Sequence, residues 1–414
     1  MKFLVVSQYF WPESFIVNDL VKTLSAQGHV VKVLTGKPNY PDGAVFNGYS
    51  ASGAQEEKFE SSVSVFRAPL RPRGASGAKN LVLNYLSFIL NGLMYYPRAV
   101  KGEAYDAIFV FAPSPITSVI PAIYLKWKLK SHLAVWVQDL WPESLSATGF
   151  IKNKAILRVV GWLVKGIYAF VDTLLVQSRA FREPVSRYAS PGKVVYYPNS
   201  FQDVPPSVEE TRIPAPLLAE LDNHFCLVFA GNLGTAQSVE TLVEVADRLR
   251  HLSELRIVLV GSGSMSGWIE TQKKSRGLDN LVLAGRFAAT EMPHFFSRAE
   301  GLLVTLKQDE AFSYTIPSKV QAYLAAGRPI IAALDGEGAR VIQEAGAGLT
   351  TAAQDAEGMA NCIEQLFRMT SDERESLGQA GRAYYLEHFE MERQSQRLVE
   401  ILSSRINEFK GSSK

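Results

Sequence analysis

Short apolar, β-branched runs alternate with helical patterns from the first residues of the chain onward. FLVVS leads into the helical NDLVKTLSAQG and then VVKVLTG, and SVSVFRAP, AIFVFAP, LAVWVQD, TLLVQS and VVYYPNS continue the series to about seven strands by residue 200. Strands spaced by helix-length segments predict a parallel sheet covered on both faces. FQDVPPSVEETRIPAPLLAELDNH breaks this rhythm with four prolines and several acids, and reads as a linker. The alternation restarts with CLVFAG, a helix from about Val239 to Leu252, RIVLVGSG, NLVLAG, LLVTL, a helix after Pro317, and PIIAAL. The expected organisation is an α/β domain over 1–200, a linker over 201–224, a second doubly wound domain over 225–390 and an amphipathic helix over 391–414.

Two hydrophobic stretches, 80–96 and 155–171, need a separate reading. Asparagines and a glycine interrupt the first, and Arg158 and Lys165 the second, so both fall short of roughly 20 uninterrupted apolar residues. They read as helices. Either they pack into the core, or an apolar face helped by basic runs such as LKWKLK and RPRG rests on anionic lipid at the inner face of the cytoplasmic membrane.

Composition narrows the class. At 414 residues, with 47% hydrophobic and 20% charged positions, the chain is globular and too long for one core. A formal net charge of +2 gives no case for a nucleic-acid partner. Two cysteines, Cys226 and Cys362, exclude a disulfide framework, and MKFLVVSQYF reads as a first strand instead of a signal peptide, so a cytoplasmic protein is expected.

Doubly wound sheets bind ligands beyond the carboxyl ends of their strands, so two such domains predict a cleft with functional residues in strand-to-helix loops. In AGNLGTAQS, Gly231 and Gly234 allow backbone to approach an anion at a helix N-terminus, and Gly261 and Gly263 repeat the arrangement in GSGS. Glycines at such turns also serve tight packing alone. In TIPSKVQAYLAAGRPI, Pro317 suits the first helical turn, Ser318 can satisfy free N–H groups, and Lys319 adds a point charge where the helix dipole already favours a pyrophosphate. An ordinary capped helix with a surface lysine would read the same way. The turn QYFWPES at 8–14 nearly recurs as QDLWPES at 138–144, bringing Glu13, Asp139 and Glu143. These acids either start helices or bind and deprotonate an acceptor hydroxyl. No D-x-D, H-E-x-x-H or Cys/His spacing occurs, and no G-x-S-x-G, so neither a metal nor a hydrolase nucleophile is expected.

LSAQGHVVKVLTG, YDAIFVFAPSP, LLVQSRA, VVYYPNS, VFAGNLG, IVLVGSG and SKVQAYLAAGRPII stand in the order seen in retaining glycosyltransferase family 4, and the chain resembles that family over essentially its whole length. QYFWPE, QDLWPES and TIPSKVQAYLAAGRPI make it most similar to the bacterial O-antigen and capsule branch of L-fucosamine transferases. The resemblance implies a GT-B fold and a nucleotide-sugar donor held by the C-terminal domain, with UDP the nucleotide it leans toward. It further implies a lipid-linked saccharide acceptor held by the N-terminal domain, a terminal helix crossing back to that domain, and no cofactor. It maps Gly231 and Gly234 to the phosphate turn, Gly261 and Gly263 to the loop near the base, and Arg286 and Phe287 to the loop that reads it.

The departures are specific. Asn232 and Gln237 stand where many members carry Arg and Lys, Ser313 and Gln321 replace the Glu-x7-Glu acids, Gln138 takes the place of a frequent histidine, and WPES replaces the glycine loop near the N-terminus. Lys319 first, and Lys307 second, are the expected sources of the missing positive charge. Two rival readings remain: a UDP-sugar 2-epimerase of the same architecture, and a non-catalytic binding homologue that has lost the acids.

Overall fold

Seven of the eight strands of the N-terminal sheet are the apolar runs read above, and the eighth has a single apolar residue, Phe59. In the computed structural model, which describes residues 1–74, 77–147, 153–203 and 211–412, the chain separates into two compact units: Met1–Asn199 with Met391–Lys414, and Ser200–Glu390.

The first unit holds β1 (Lys2–Ser7), β2 (Val30–Thr35), β3 (Gln55–Phe59), β4 (Val63–Arg67), β5 (Ala107–Ala112), β6 (His132–Val137), β7 (Thr173–Val176) and β8 (Val194–Tyr196), ordered β3-β4-β2-β1-β5-β6-β7-β8. β3, the antiparallel partner of β4, reads QEEKF; its charges suit an exposed edge and hide it from an apolar pattern. β5 and β6 are buried at every position, as central parallel strands covered on both faces require.

From β1 the chain moves outward to β2 and β4, then from β5 onward moves the other way. Right-handed crossovers therefore put the helix Ile16–Ala26 on one face and the helices Ala78–Ala99, Ile120–Leu129 and Lys154–Phe170 on the other. The terminal helix Met391–Ser412 packs against Ile16–Ala26 and sends Met391, Leu398 and Leu402 into the core with Phe3 and Val5. The reversal lies between β1 and β5, so the loops beyond their carboxyl ends mark the binding edge. Both hydrophobic stretches are helices, and no helix among the described residues is long and apolar enough to cross a membrane.

The second unit holds β9 (Phe225–Ala230), β10 (Leu255–Val260), β11 (Leu281–Gly285), β12 (Gly301–Thr305), β13 (Ile330–Ala333) and β14 (Gly348–Thr351), ordered β11-β10-β9-β12-β13-β14 with parallel pairing throughout. This is the dinucleotide-fold order, with its reversal between β9 and β12. The sequence pattern misses β14 because GLTT is short and carries a single large apolar residue. The helix expected to reach Leu252 ends at Arg248. Within the 201–224 segment expected as a linker, the helix Ala215–Asn223 belongs to the second unit, with Ile213 and Leu221 buried in its core; residues 204–210 lie outside the described residues.

Candidate functional site

At the carboxyl ends of β9, β10 and β11 the backbone continues as a ladder: Gly231 N donates to Val260 O at 2.9 Å and Gly261 N to Gly285 O at 2.7 Å. Both glycines are required. Gly231 has φ +145° and Gly261 φ +144°; a Cβ on Gly261 would stand 1.9 Å from Gly231 O, and one on Gly231 would stand 2.6 Å from Lys319 Cε. Packing also fixes Gly234 and Gly263, where a Cβ would meet the Asn232 side chain at 2.7 Å and 2.5 Å. These turns open a cavity of about 1480 Å³ in the second unit, walled by Gly231, Asn232, Gly261, Gly263, Arg286 and Phe287 on one side and by Ser318, Lys319 and Tyr323 on another. Tyr323 is buried and holds the end of β9, its hydroxyl accepting from Ala230 N at 2.9 Å.

Lys319 brings a positive charge into this cavity beside Arg286, while the Arg382 charge in the wall is paired with Asp203. Lys319 Nζ hydrogen-bonds to Gln237 Oε1 and sits 4.9 Å from the centre of the Phe229 ring. It forms no ion pair with a carboxylate among the described residues, and burial pulls its amine down to about 8. Gln237, at the place where the resemblance leads one to expect lysine, therefore orients the charge without supplying it. The helix Ser318–Ala326 begins with Pro317 in the cap position and Ser318 at its first residue. The expectation that Ser318 satisfies the free N–H groups is corrected: no side chain caps this helix, because a residue already inside the first turn cannot reach back to it. The uncapped N-terminus and the desolvated amine together favour an anion.

Three expected residues stand apart from this cavity. Gln321 is 3% exposed and outside its wall. Lys307 follows β12 and its amide donates to Ala236 O at 3.0 Å, but its side chain is not part of the wall. Gly234 sits beneath Asn232. The sequence reading missed Ala322, Ala326, Met292 and Phe296, which carry the cavity along an apolar side, and Arg382, which pairs with Asp203 at 2.5 Å. Ser318, Ala322 and Ala326 recur every four residues, a small-residue helix face that was legible in SKVQAYLAAG.

In the first unit the two WPES turns follow β1 and β6, each with a cis Trp–Pro bond, and their acids differ. Glu13 is 2% exposed: Oε1 accepts from Asn39 N at 2.8 Å and Tyr40 N at 2.7 Å, and Oε2 from Phe10 N at 3.2 Å. Burial raises its carboxyl and these three N–H groups pull it back. The expectation of a carboxylate open to an acceptor is corrected at Glu13, which latches the loop after β2 to the turn after β1 and caps no helix, the helix Ile16–Ala26 having no side-chain cap. Glu143 opens the short helix Glu143–Ala147; Oε1 accepts from Tyr188 Oη at 3.5 Å, and Oε2 is buried without a hydrogen-bond partner among the described residues.

Asp139, half-buried like Glu143, is the acid of the three whose partners come from Trp141, Ser144 and Ser114 at the binding edge. Its Oδ2 accepts from Trp141 Nε1 at 3.3 Å, and the same indole lies 3.3 Å from Ser114 Oγ beyond β5. Burial raises its carboxyl despite hydrogen bonds from Ser144, Trp141 and Ser114. Tyr85 feels both Asp139 and Arg73, and the Arg73 guanidinium lies 5.1 Å from the Tyr40 ring and 5.9 Å from the Tyr9 ring. Gln138 closes a ring of amides: it donates to Asn199 Oδ1 at 2.9 Å, Asn199 to Gln177 Oε1 at 2.9 Å, and Gln177 to Gln138 O at 2.7 Å. Among the described residues no group of three or more His, Cys, Asp or Glu is placed to hold a metal ion.

Residues 15–200 match the glycosyl transferase 4-like domain, and residues 224–369 match the glycosyl transferases group 1 family. WcaI of Escherichia coli (strain K12), which carries the name of a colanic acid biosynthesis glycosyl transferase, is 27% identical over 349 residues, covering 79% of this chain and 82% of that one. Among solved structures, sucrose-phosphate synthase from Thermosynechococcus elongatus superposes with a TM-score of 0.71 at 17% identity, over 97% of this chain and 98% of that one. HepE of Anabaena in complex with UDP gives 0.68 at 15% identity, over 98% and 100%. Identities this low speak for the fold alone. The chain is a glycosyltransferase of the GT-B fold, in which a glycosyl transferase 4-like domain precedes a group 1 domain.

Proposed function

We propose that this chain moves a sugar, an N-acetylated deoxysugar such as L-FucNAc being the first candidate, from its UDP conjugate to a lipid-linked saccharide of O-antigen, capsule or exopolysaccharide synthesis, with retention at the anomeric carbon. The observation that carries the reading is Lys319: a desolvated amine with no carboxylate partner among the described residues, at an uncapped helix N-terminus, in a cavity framed by glycine turns. Such a place suits a diphosphate. The bond from the anomeric carbon to the diphosphate oxygen breaks, the acceptor oxygen bonds to that carbon on the same face, and the acceptor proton passes to Asp139. Lys319 and backbone N–H groups stabilise the charge that develops on the departing nucleoside diphosphate. Arg286 and Phe287 flank the base, and Arg73 offers counter-charge to an anionic acceptor. No step calls for a metal ion or another cofactor. UDP is preferred because HepE, of the same fold, is solved with UDP.

The test is a donor screen against a lipid-linked oligosaccharide with chelator present, product anomericity being read by NMR. An inverted product overturns the mechanism. Incubation with a UDP-sugar alone tests the epimerase reading, since an epimerised sugar formed without acceptor would replace the transferase assignment.

A further inference from the structure

The helices Ala78–Ala99, Ile120–Leu129 and Lys154–Phe170 lie side by side on the sheet face opposite the terminal helix. Lys128 Nζ donates to Pro97 O at 3.2 Å, and the rings of Trp127 and Phe170 meet edge to face at 5.5 Å. Each helix has two apolar sides. One enters the core, through residues such as Phe88, Leu125 and Val164. The other faces outward. On the first helix Val82, Leu86, Leu90 and Met94 form an exposed stripe at four-residue spacing, and Leu90 is 63% exposed. Trp127 on the second is 61% exposed and Trp162 on the third 68%, with Ile156 and Val159 beside it. Among the described residues, eleven of the sixteen exposed large apolar side chains stand on these three helices.

Charge on the same face is one-sided. The chain carries 41 acids in 414 residues, yet these three helices contain none, while Lys79, Arg98, Lys128, Lys154, Arg158 and Lys165 are exposed on them. A seventh base, Lys126, is neutralised by Asp172 at 2.6 Å. Apolar side chains with two tryptophans, ringed by lysine and arginine and free of acids, complement a bilayer whose headgroups are anionic, where indoles settle at the boundary between headgroup and acyl chain. An ordinary solvated face would mix both signs, and an apolar contact between copies of the chain would gain nothing from six like charges without an ion-pair partner among the described residues.

We infer that this three-helix face is a monotopic docking surface for anionic lipid bilayer, held by Leu90, Trp127 and Trp162 in the interface and by the surrounding bases at the headgroups. Tyr85 lies on the same helix as Leu90 and in the field of Asp139, so a docked face would bring the acceptor cluster to the lipid surface. That last consequence rests on the acceptor assignment; the docking does not.

The full chain mixed with phosphatidylglycerol-rich vesicles and with phosphatidylcholine vesicles tests it. The expected result is sedimentation with the anionic vesicles, release by high salt, and a blue shift of tryptophan emission on binding. The double variant Leu90→Glu, Trp162→Glu should lower partitioning at least about tenfold while leaving thermal unfolding and soluble-donor binding unchanged, because both side chains already face outward. Equal binding by wild type and variant, or no binding to either vesicle, overturns the inference. So does a wild-type dimer that the variant breaks without any binding to vesicles, which would make the face a contact between copies. Because soluble-donor binding is read separately, loss of docking and loss of the transferase reading remain distinguishable.

Discussion

Lys319 Nζ donates to Oε1 of Gln237, joining the start of one helix to the turn that precedes another, and this bond holds the amine in the cavity of the second unit with no carboxylate paired to it among the described residues. A lysine held this way is unfavourable in the empty protein and favourable once an anion arrives.

The pH dependence follows from that balance. The folded amine titrates at about 8, against about 10.4 in an unfolded chain, so between these values the unfolded chain binds more protons and stability rises with pH. Lys319→Met should flatten this slope and, at pH 7, stabilise the protein by about 2 kcal/mol, measurable by denaturant unfolding. The same variant should lower turnover by about 10²–10³. Nucleoside diphosphate affinity in the wild type should fall as pH rises through about 8, and the variant should show no such fall; calorimetry across this range checks both.

Glycine positions give a paired test. Gly231→Ala places a methyl 2.6 Å from Lys319 Cε at φ +145°, so it should destabilise by about 1–3 kcal/mol and weaken donor binding together. Gly267→Ala, in the helix Ser266–Arg276 with no atom within 4 Å of the new methyl, should instead stabilise by about 0.5 kcal/mol and leave binding alone. Thermal shifts with and without UDP separate the two.

Asp139 should behave as a base and not as a strut. Its carboxyl is raised in the folded chain, so ionising it costs more there than in the unfolded chain, and its contribution to stability falls as pH climbs from the usual aspartate value to the raised one. Asp139→Asn removes that cost. The variant should unfold at the wild-type temperature or above it at pH 7, with transfer reduced by about 10²–10⁴ and donor binding retained.

The strand series and the start of the helix after Pro317 were legible because periodicity and turn chemistry are local properties of the chain, whereas the order of the strands, which depends on pairing between distant segments, was not. β3 was not, since QEEKF is held by its hairpin partner and not by its own apolarity. Glycines 231, 261 and 263 were legible as turns, but the sequence does not show that Gly231 makes room for Lys319, a contact between residues 88 positions apart. The stretches 80–96 and 155–171 were legible as helices, whereas their outward apolar sides depend on which crossovers share a sheet face and on nothing among the described residues packing over them. The acids of the twin turns could not be ranked at all, because their surroundings come from the loop after β2, from Ser114 and from Tyr188.

Those surroundings make the two WPES glutamates separable by one conservative change. In Glu13→Gln an amide NH₂ must face one of the N–H groups of Phe10, Asn39 or Tyr40, leaving a buried donor opposed by a donor, so about 1–3 kcal/mol of stability should be lost. Donor binding in the second unit should survive, while acceptor KM rises as the Tyr9 and Tyr40 loops loosen. Glu143→Gln removes charge from an oxygen that is buried without a hydrogen-bond partner among the described residues and keeps an acceptor for Tyr188, so stability at pH 7 should hold or increase and turnover stay within a few-fold of wild type. A large loss of turnover in Glu143→Gln with unchanged unfolding would move the proton-accepting role from Asp139 to Glu143.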